Sequence, residues 1–436
     1  MQVLWPEQTP PQLANLLVDC HMIELIESKS WSEVRDYQNR RIAELLKHGV
    51  KQSAWWRERI GNFGDGQKLT FNQVQPMTRA DLRHSIASAG GSLPVPSGHG
   101  AIGQAATSGS SGVPLHFYYS ALSGRLNAAH YWLDRRRRGI DSSKRVARFS
   151  VHLEEHAGPH ILTSGNEILE RAPEYQRRAQ QFNIEEHAHW IKTIAPNYIV
   201  AHPTILSGIM DVLENDPGRP QVEALLTYAE TVTTNFRSRA KTILGAKTAD
   251  RYSSQELGPL AFQCPVSDSH YHIASTNVRL EVLNELGKPC EFGEIGRIHA
   301  TGLHTFANPI VRYELGDLAT MLPQCVCGHS HPVLTNLLGR ERFLLKMPDG
   351  SRRYVNFGAR HWLKIAPLKE ARIVQYKSDV ITAEYVMDRD LSDREHQAFL
   401  LLLQMEISPD VSYEIVRLPE IAWGPSYKRQ DIISLV

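Results

Sequence analysis

The sequence predicts an α/β protein: a large N-terminal domain of helix-covered sheets with a β-rich subdomain, then a small α+β C-terminal domain. Three observations carry that prediction. Between residues 120 and 228 amphipathic runs alternate with short apolar runs, the pattern that a largely parallel, helix-covered sheet needs. After residue 273 short strands and turns take over, and past Gly339 a new unit opens, which divides the chain into 1–338 and 339–436. At 436 residues the chain is also too long for one ordinary core.

The elements follow in order. Residues 1 to about 100 read as mostly helical, because Ser30-Trp31-Ser32-Glu33 has capping-box spacing ahead of an amphipathic run through Val34, Tyr37, Ile42, Leu45 and Leu46. A second start lies at Thr78-Arg79-Ala80-Asp81, and Gly90 to Gly103 reads as an irregular loop. Helices over 120–138, 184–194 and 205–214 precede strands at 145–151, 198–201 and 224–228. Val278 to Leu283, Gly296 to Ala300 and Ile310 to Tyr313 read as strands of the β-rich part. Beyond Gly339 come strands near 342–347 and 372–387, a helix capped at Ser392-Asp393-Arg394-Glu395 and a strand-like tail.

Lys and Arg number 48 against 47 Asp and Glu, so the net charge of +1 gives no field that would hold a nucleic acid. The one basic run, Arg135 to Arg138, reads as a solvated helix end. The first residues lack a basic start and a long apolar segment, and the greasiest run, Phe399 to Leu403, is far too short to span a membrane. Five cysteines, an odd set in a long chain, argue against a disulfide framework. These features point to a cytoplasmic protein, with no nucleic-acid or membrane partner; a homodimer is left open.

The stretch Thr107-Ser108-Gly109-Ser110-Ser111-Gly112-Val113-Pro114 is small, hydroxylated and flexible, and the β-rich run Leu115 to Tyr119 pins its far end. Glycine permits close approach and the hydroxyls add donors, so such a loop can turn several N–H groups toward one phosphate. No Gly-Lys-Ser/Thr follows, which excludes the Walker form. Taken alone, the stretch fits a plain Gly/Ser linker as well.

Further islands come in order: Arg251-Tyr252-Ser253-Ser254-Gln255-Glu256, Arg312-Tyr313-Glu314-Leu315-Gly316-Asp317-Leu318, Gly339-Arg340, and Lys428 in Pro425-Ser426-Tyr427-Lys428. Each residue alone has an ordinary reading as a strand end, a turn or a surface charge. Together, in this order, they resemble the core motifs of the adenylate-forming (AMP-binding) superfamily, and within it the phenylacetate-CoA ligase branch. The resemblance runs over nearly the whole chain. Met77 to Leu82, Ala195 to Thr204, and Ala229-Glu230-Thr231 with Arg237 resemble that branch too.

The resemblance implies an enzyme that activates a carboxylic acid with ATP, releases pyrophosphate from the acyl-adenylate step, and passes the acyl group to CoA. An amine acceptor, and a degenerate nucleotide-binding module, are the alternatives. A carboxylate is a poor electrophile because its leaving group would be oxide; AMP is a good one, and the phosphate charge must be neutralised. The resemblance places Thr107, Ser108, Gly109, Ser110, Ser111 and Gly112 on the ATP phosphates. Tyr252 would lie beside the adenine, with Ser253, Ser254 and Gln255 along the floor, and Glu256 would ligate Mg²⁺. Asp317 would accept from the ribose hydroxyls, Arg340 would sit near ribose and phosphate, and Lys428 would stabilise the oxygen anions as AMP is attached. The C-terminal domain would be a lid that pivots near Gly339 to Arg342. The chain departs from the superfamily at Val113, where lysine is usual, and at Arg342, where an acid is usual. Aromatic and histidine residues in Phe149 to His160 and Tyr198 to Thr204 suggest an aryl acid.

Cys264 and His272 flank a short loop, and Cys325-Val326-Cys327-Gly328 follows later. Three thiolates and one imidazole complete a closed tetrahedral site suited to structural Zn²⁺, with His270, His329 or His331 able to replace His272. Buried free cysteines are the alternative.

Overall fold

The computed structural model describes residues 11–61, 71, 74–107, 115–150, 158–160, 174–179, 181–338, 344–355, 362, 365–421 and 432–436. Ser108, Gly109, Ser110, Ser111, Gly112, Val113, Arg340, Arg342 and Lys428 lie outside the described residues, as does most of the stretch from Val151 to His160.

Helices α1 (Pro11–Glu27), α2 (Trp31–Gln52), α3 (Ala54–Ile60) and α4 (Arg79–Ser88) open the chain. The cap signals form as their spacing requires. Ser30 Oγ accepts from the Glu33 N–H at 3.4 Å, while the Glu33 carboxylate accepts from the Ser30 N–H at 3.0 Å. Thr78 and Asp81 make the same reciprocal box at the start of α4. Val34, Ile42, Leu45 and Leu46 are buried on one face of α2.

β1 (Ile102–Ala106) and β2 (His116–Ser120) pair antiparallel and hold the two ends of the loop between them side by side. Ile102 and Gly103, expected to be loop, are strand because Gly103 passes close beneath Tyr119: a Cβ there would stand 2.7 Å from the tyrosine ring. α5 (Ala121–Arg137) follows. Its basic end is not merely solvated, for it fastens α1: Arg136 pairs with Glu24 and Arg137 with Glu27 at 3.2 Å, while Arg125 near the start of α5 pairs with Asp19 at 2.5 Å.

The expected alternation of helix and strand then appears as β3 (Val146–Ser150), β4 (Gly158–His160), β5 (Glu174–Arg178), α6 (Ile184–Ile194), β6 (Tyr198–Ala201), α7 (Pro203–Leu213), β7 (Ala224–Tyr228), α8 (Thr234–Leu244) and β8 (Lys247–Ser254). Strands β5, β3, β6, β7 and β8 lie parallel. Helices α6, α7 and α8 cover one face, where Ile191, Ile205, Ile209, Leu225 and Phe236 share a core. The β-rich part is β9 (Gly258–Gln263), β10 (Tyr271–Ile273), β11 (Val278–Leu283), β12 (Ile295–Gly302), β13 (Tyr313–Leu322) and β14 (Val333–Leu338). It joins the same twelve-stranded sheet, in the order β11-β12-β13-β14-β10-β9-β8-β7-β6-β3-β5-β4, with antiparallel pairs from β9 outward. A strand was expected at 310–313 but begins only at Tyr313, because Arg312 takes a left-handed φ of 51°. That turn is held by Arg312 Nη1 donating to the Val74 carbonyl at 2.7 Å and by an ion pair with Glu281 at 3.1 Å.

The parallel and antiparallel halves are tied across β8 by a buried carboxylate. Asp250 accepts from the hydroxyls of Thr227 and Tyr271, both at 2.6 Å. Burial raises its pKa, so the two hydroxyl donors offset a desolvation cost. Asp250→Ala leaves both hydroxyls without their acceptor and is expected to destabilise the fold by about 2–3 kcal/mol. An unchanged midpoint of urea unfolding would show that these bonds contribute nothing net.

The last residues form β15 (Leu344–Lys346), β16 (Arg352–Tyr354), β17 (Glu370–Lys377), β18 (Val380–Val386), α9 (Asp393–Glu406), β19 (Ser412–Arg417) and β20 (Ile432–Ser434). Ser392 caps α9 with Glu395 as its sequence indicates, and a separate core gathers Ile373, Ile381, Phe399 and Leu403.

Candidate active site

Three of the polar islands have described residues near the end of β8. Thr107, at the base of the phosphate-loop candidate, is buried; its N–H donates to the Leu115 carbonyl at 3.0 Å and its hydroxyl accepts from the Leu115 N–H at 3.1 Å. Arg79 Nη2 donates to the same hydroxyl at 2.5 Å, while its Nη1 stands 3.9 Å from Glu256 Oε1. The Glu256 carboxylate also accepts from the Tyr313 hydroxyl at 3.3 Å. Four residues along β13 from Tyr313, Asp317 accepts from the Tyr252 hydroxyl at 2.8 Å. Arg79 thus links Thr107 to Glu256, which Tyr313 also bonds, while Tyr252 and Asp317 form a second pair, from strands β8 and β13. Burial first, and the Glu256 carboxylate next, push the Tyr313 phenol far above its ordinary pKa, so it stays a donor.

The other members of the Tyr252 island divide. Ser254 Oγ accepts from the Leu257 N–H at 3.1 Å and shapes the turn, and Ser253 bonds the Tyr131 hydroxyl of α5. Gln255 and Glu256, with Tyr119, Asn127 and His304, line a cavity of about 240 Å³. From the motifs quoted around it, Arg237 reaches Gln263 Oε1 at 2.8 Å, and Glu230 pairs with His202 at 3.3 Å and accepts from the Thr204 N–H at 2.9 Å.

Arg79 and Tyr313 carried no assigned role in the sequence. One signal for Arg79 was available: it is the first residue of α4, where the helix dipole disfavours a cation, so its position implies a nearby acid. Tyr313 had no such signal, because its partner lies on another strand.

At the end of β9 away from Glu256, Cys264, His272, Cys325 and Cys327 bring their four ligand atoms within 4.8 Å of one another. A tetrahedral zinc with Zn–S of about 2.3 Å and Zn–N of about 2.0 Å needs edges of roughly 3.5–3.8 Å. An inward shift of about 1 Å closes the set. The structure also sorts the histidines. His272 Nε2 faces Cys327 Sγ at 3.4 Å, whereas His270 Nδ1 meets Cys325 Sγ at 3.2 Å and His331 Nε2 is on the Lys29 carbonyl at 2.8 Å. His329 stacks on the His272 ring, centroids 4.3 Å apart. Burial works to raise the Cys264 pKa, but the N–H groups of Val266 and Ser267 outweigh it and the thiol lies below its usual value.

The chain is 26% identical over 163 residues to phenylacetate-coenzyme A ligase of Thermus thermophilus, a match spanning 36% of this chain and 37% of that protein. It is 24% identical over 316 residues to phenylacetate-coenzyme A ligase of Escherichia coli, spanning 69% of this chain and 70% of that one. Among solved structures, 2-hydroxyisobutyryl-CoA ligase in complex with 2-HIB-AMP and CoA superposes with a TM-score of 0.60 at 17% identity, covering 92% of this chain and 90% of that chain. No family model matches the chain. Fold, motif order and these likenesses together make the chain similar to the phenylacetate-coenzyme A ligases, with the fold of 2-hydroxyisobutyryl-CoA ligase.

Proposed function

We propose that the protein activates a carboxylic acid with ATP and then transfers the acyl group to CoA. The observation that supports this reading is that Arg79 links Thr107 to Glu256, four residues on from Tyr252, whose hydroxyl bonds Asp317. In the first step a substrate carboxylate oxygen bonds to the α-phosphorus of ATP while the bond from that phosphorus to the bridging oxygen breaks, and pyrophosphate leaves. In the second the CoA sulfur bonds to the acyl carbon, AMP departs with the linking oxygen, and the thiol proton is lost to solvent.

Each residue has a role that suits its chemistry. Asp317, an acceptor fixed by the Tyr252 hydroxyl, receives the ribose hydroxyls, and Tyr252 lies against the adenine. The hydroxyls and N–H groups from Thr107 to Gly112, with Arg79 at the loop base, take the phosphates. Glu256 fits a hard cation, for its carboxylate receives a neutral hydroxyl from Tyr313 and lines the cavity. Mg²⁺, when bound, supplies positive charge to the phosphates. Residues 339–436 act as the lid that brings Lys428 and Arg340 to the nucleotide. Cys264, His272, Cys325 and Cys327 hold a structural Zn²⁺. The near-neutral charge and the unpaired cysteines suit a cytoplasmic enzyme, and among the described residues no helix is long and apolar enough to cross a membrane.

The deciding experiment is acid-dependent exchange of pyrophosphate into ATP over a panel of acids, with and without CoA. Exchange with CoA-dependent AMP release is the expected result. Exchange without that release would direct the adenylate to an amine, and nucleotide binding with no exchange for any acid would reduce the chain to a binding module. Lys428→Ala is expected to lower adenylate formation by about 100-fold while sparing ATP binding. Should exchange proceed at the parent rate, Lys428 leaves the list of catalytic residues.

A further inference from the structure

Arg251 sits where the central strand β8 reaches the site, one residue before Tyr252. Its guanidinium carbon lies 4.8 Å from the ring centre of Tyr131 on α5 and 4.9 Å from that of Tyr228 at the end of β7. Both rings are fixed from behind. The Tyr228 hydroxyl donates to the Phe149 carbonyl at 3.2 Å, the Tyr131 hydroxyl bonds the Ser253 side chain, and His202 meets Tyr228 edge-on with centroids 4.7 Å apart.

Two aromatic faces hold a guanidinium flat, but they leave the N–H fork along its edge without an acceptor. Among the described residues no carboxylate stands within ion-pair distance of Arg251, although its charge acts on Asp134. The nearby acids are engaged elsewhere: Asp134 with Arg138 at 2.7 Å, Glu174 with Arg148 at 2.6 Å, and Glu230 with His202 at 3.3 Å. A planar cation whose edge is presented by stacking suits bidentate capture of a carboxylate. Asn127 lines the cavity with Glu256, and Tyr131, against which Arg251 stacks, lies one turn farther on the same face of α5, roughly 6 Å along the helix axis.

We propose that Arg251, clamped between Tyr131 and Tyr228, binds a second carboxylate on the acid substrate, so that the enzyme selects short dicarboxylic acids. One carboxyl is adenylated beside Glu256, and the other, a few carbons away, is forked by Arg251. An aryl monoacid, the class suggested by the aromatic content of the sequence, would leave this arginine without an anion. The inference rests on the acid-activation reading above, yet its test separates the two.

Glutarate and succinate are compared with valerate and butyrate on the full chain, by calorimetric binding in the presence of a non-hydrolysable ATP analogue and by pyrophosphate exchange. Arg251→Met keeps an apolar stem between the rings and removes the charge; Arg251→Lys keeps a charge and removes the fork. The parent should bind each dicarboxylate at least about 10-fold more tightly than its monocarboxylate counterpart. Arg251→Met should lose about 100-fold on dicarboxylates and change by less than about threefold on monocarboxylates, with Arg251→Lys in between. An unaltered dicarboxylate-to-monocarboxylate ratio in Arg251→Met overturns the proposal. If that variant fails to fold by circular dichroism, the same ratio in Arg251→Lys decides it. Binding of acids with no exchange would count against activation while the binding ratio still decides Arg251. Exchange with monocarboxylates and no preference for dicarboxylates would keep activation and discard the role of Arg251.

Discussion

Glu256→Gln is expected to lower acid-dependent pyrophosphate exchange by about 100-fold or more, to raise the Mg²⁺ concentration needed for half-maximal exchange, and to leave the melting temperature of the protein nearly unchanged. Glutamine preserves the shape of the side chain and can still accept from the Tyr313 hydroxyl, so the strand-to-strand contact survives. What it removes is a negative charge on a side chain only 8% exposed, where water screens little. A hard cation that takes oxygen ligands loses its anionic anchor, and Arg79 loses the acid that stands 3.9 Å from it. Exchange and Mg²⁺ dependence both matching the parent would mean that Glu256 only orders Arg79 and Tyr313.

The second large effect concerns the cysteines. Purified protein is expected to carry close to one equivalent of zinc, and less than about half an equivalent would count against the four-ligand site. Cys264→Ser should empty the site and lower the melting temperature by several degrees, whereas Cys290→Ser should leave the metal content unchanged. The reason is geometric. Cys264 and His272 lie at and near the facing ends of β9 and β10, and Cys325 and Cys327 occupy the turn between β13 and β14, so one ion held by all four would tie two hairpins of the sheet. That turn is prepared for it: the Cys325 N–H donates to the His329 carbonyl at 3.1 Å, the Gly328 N–H to the Cys325 carbonyl at 3.1 Å, and Gly328 takes a φ of 90°.

Much of this was legible in the residues. Helix 184–194 and strands 198–201, 224–228 and 278–283 occur over the expected spans, and the caps at Ser30, Thr78 and Ser392 form. The Cys-x-Cys pair with Cys264 and His272 was readable because metal ligands are chemically distinctive and few. Less was readable at the strand that follows Arg312 and at the end of α5. There a left-handed backbone angle and ion pairs to α1, set by distant partners, overrode the local pattern.

By itself, then, the sequence determined the local starts and periods, the order of the polar islands and the set of thiols, since caps, alternation and ligand chemistry act over a few neighbouring residues. Only the tertiary structure decided that Arg79 reaches both Thr107 and Glu256, that the Tyr252 hydroxyl meets Asp317, and that Arg251 lies between two tyrosines. Those pairings join side chains far apart in the chain, and they are set by how a twelve-stranded sheet and its covering helices pack, which no local preference encodes.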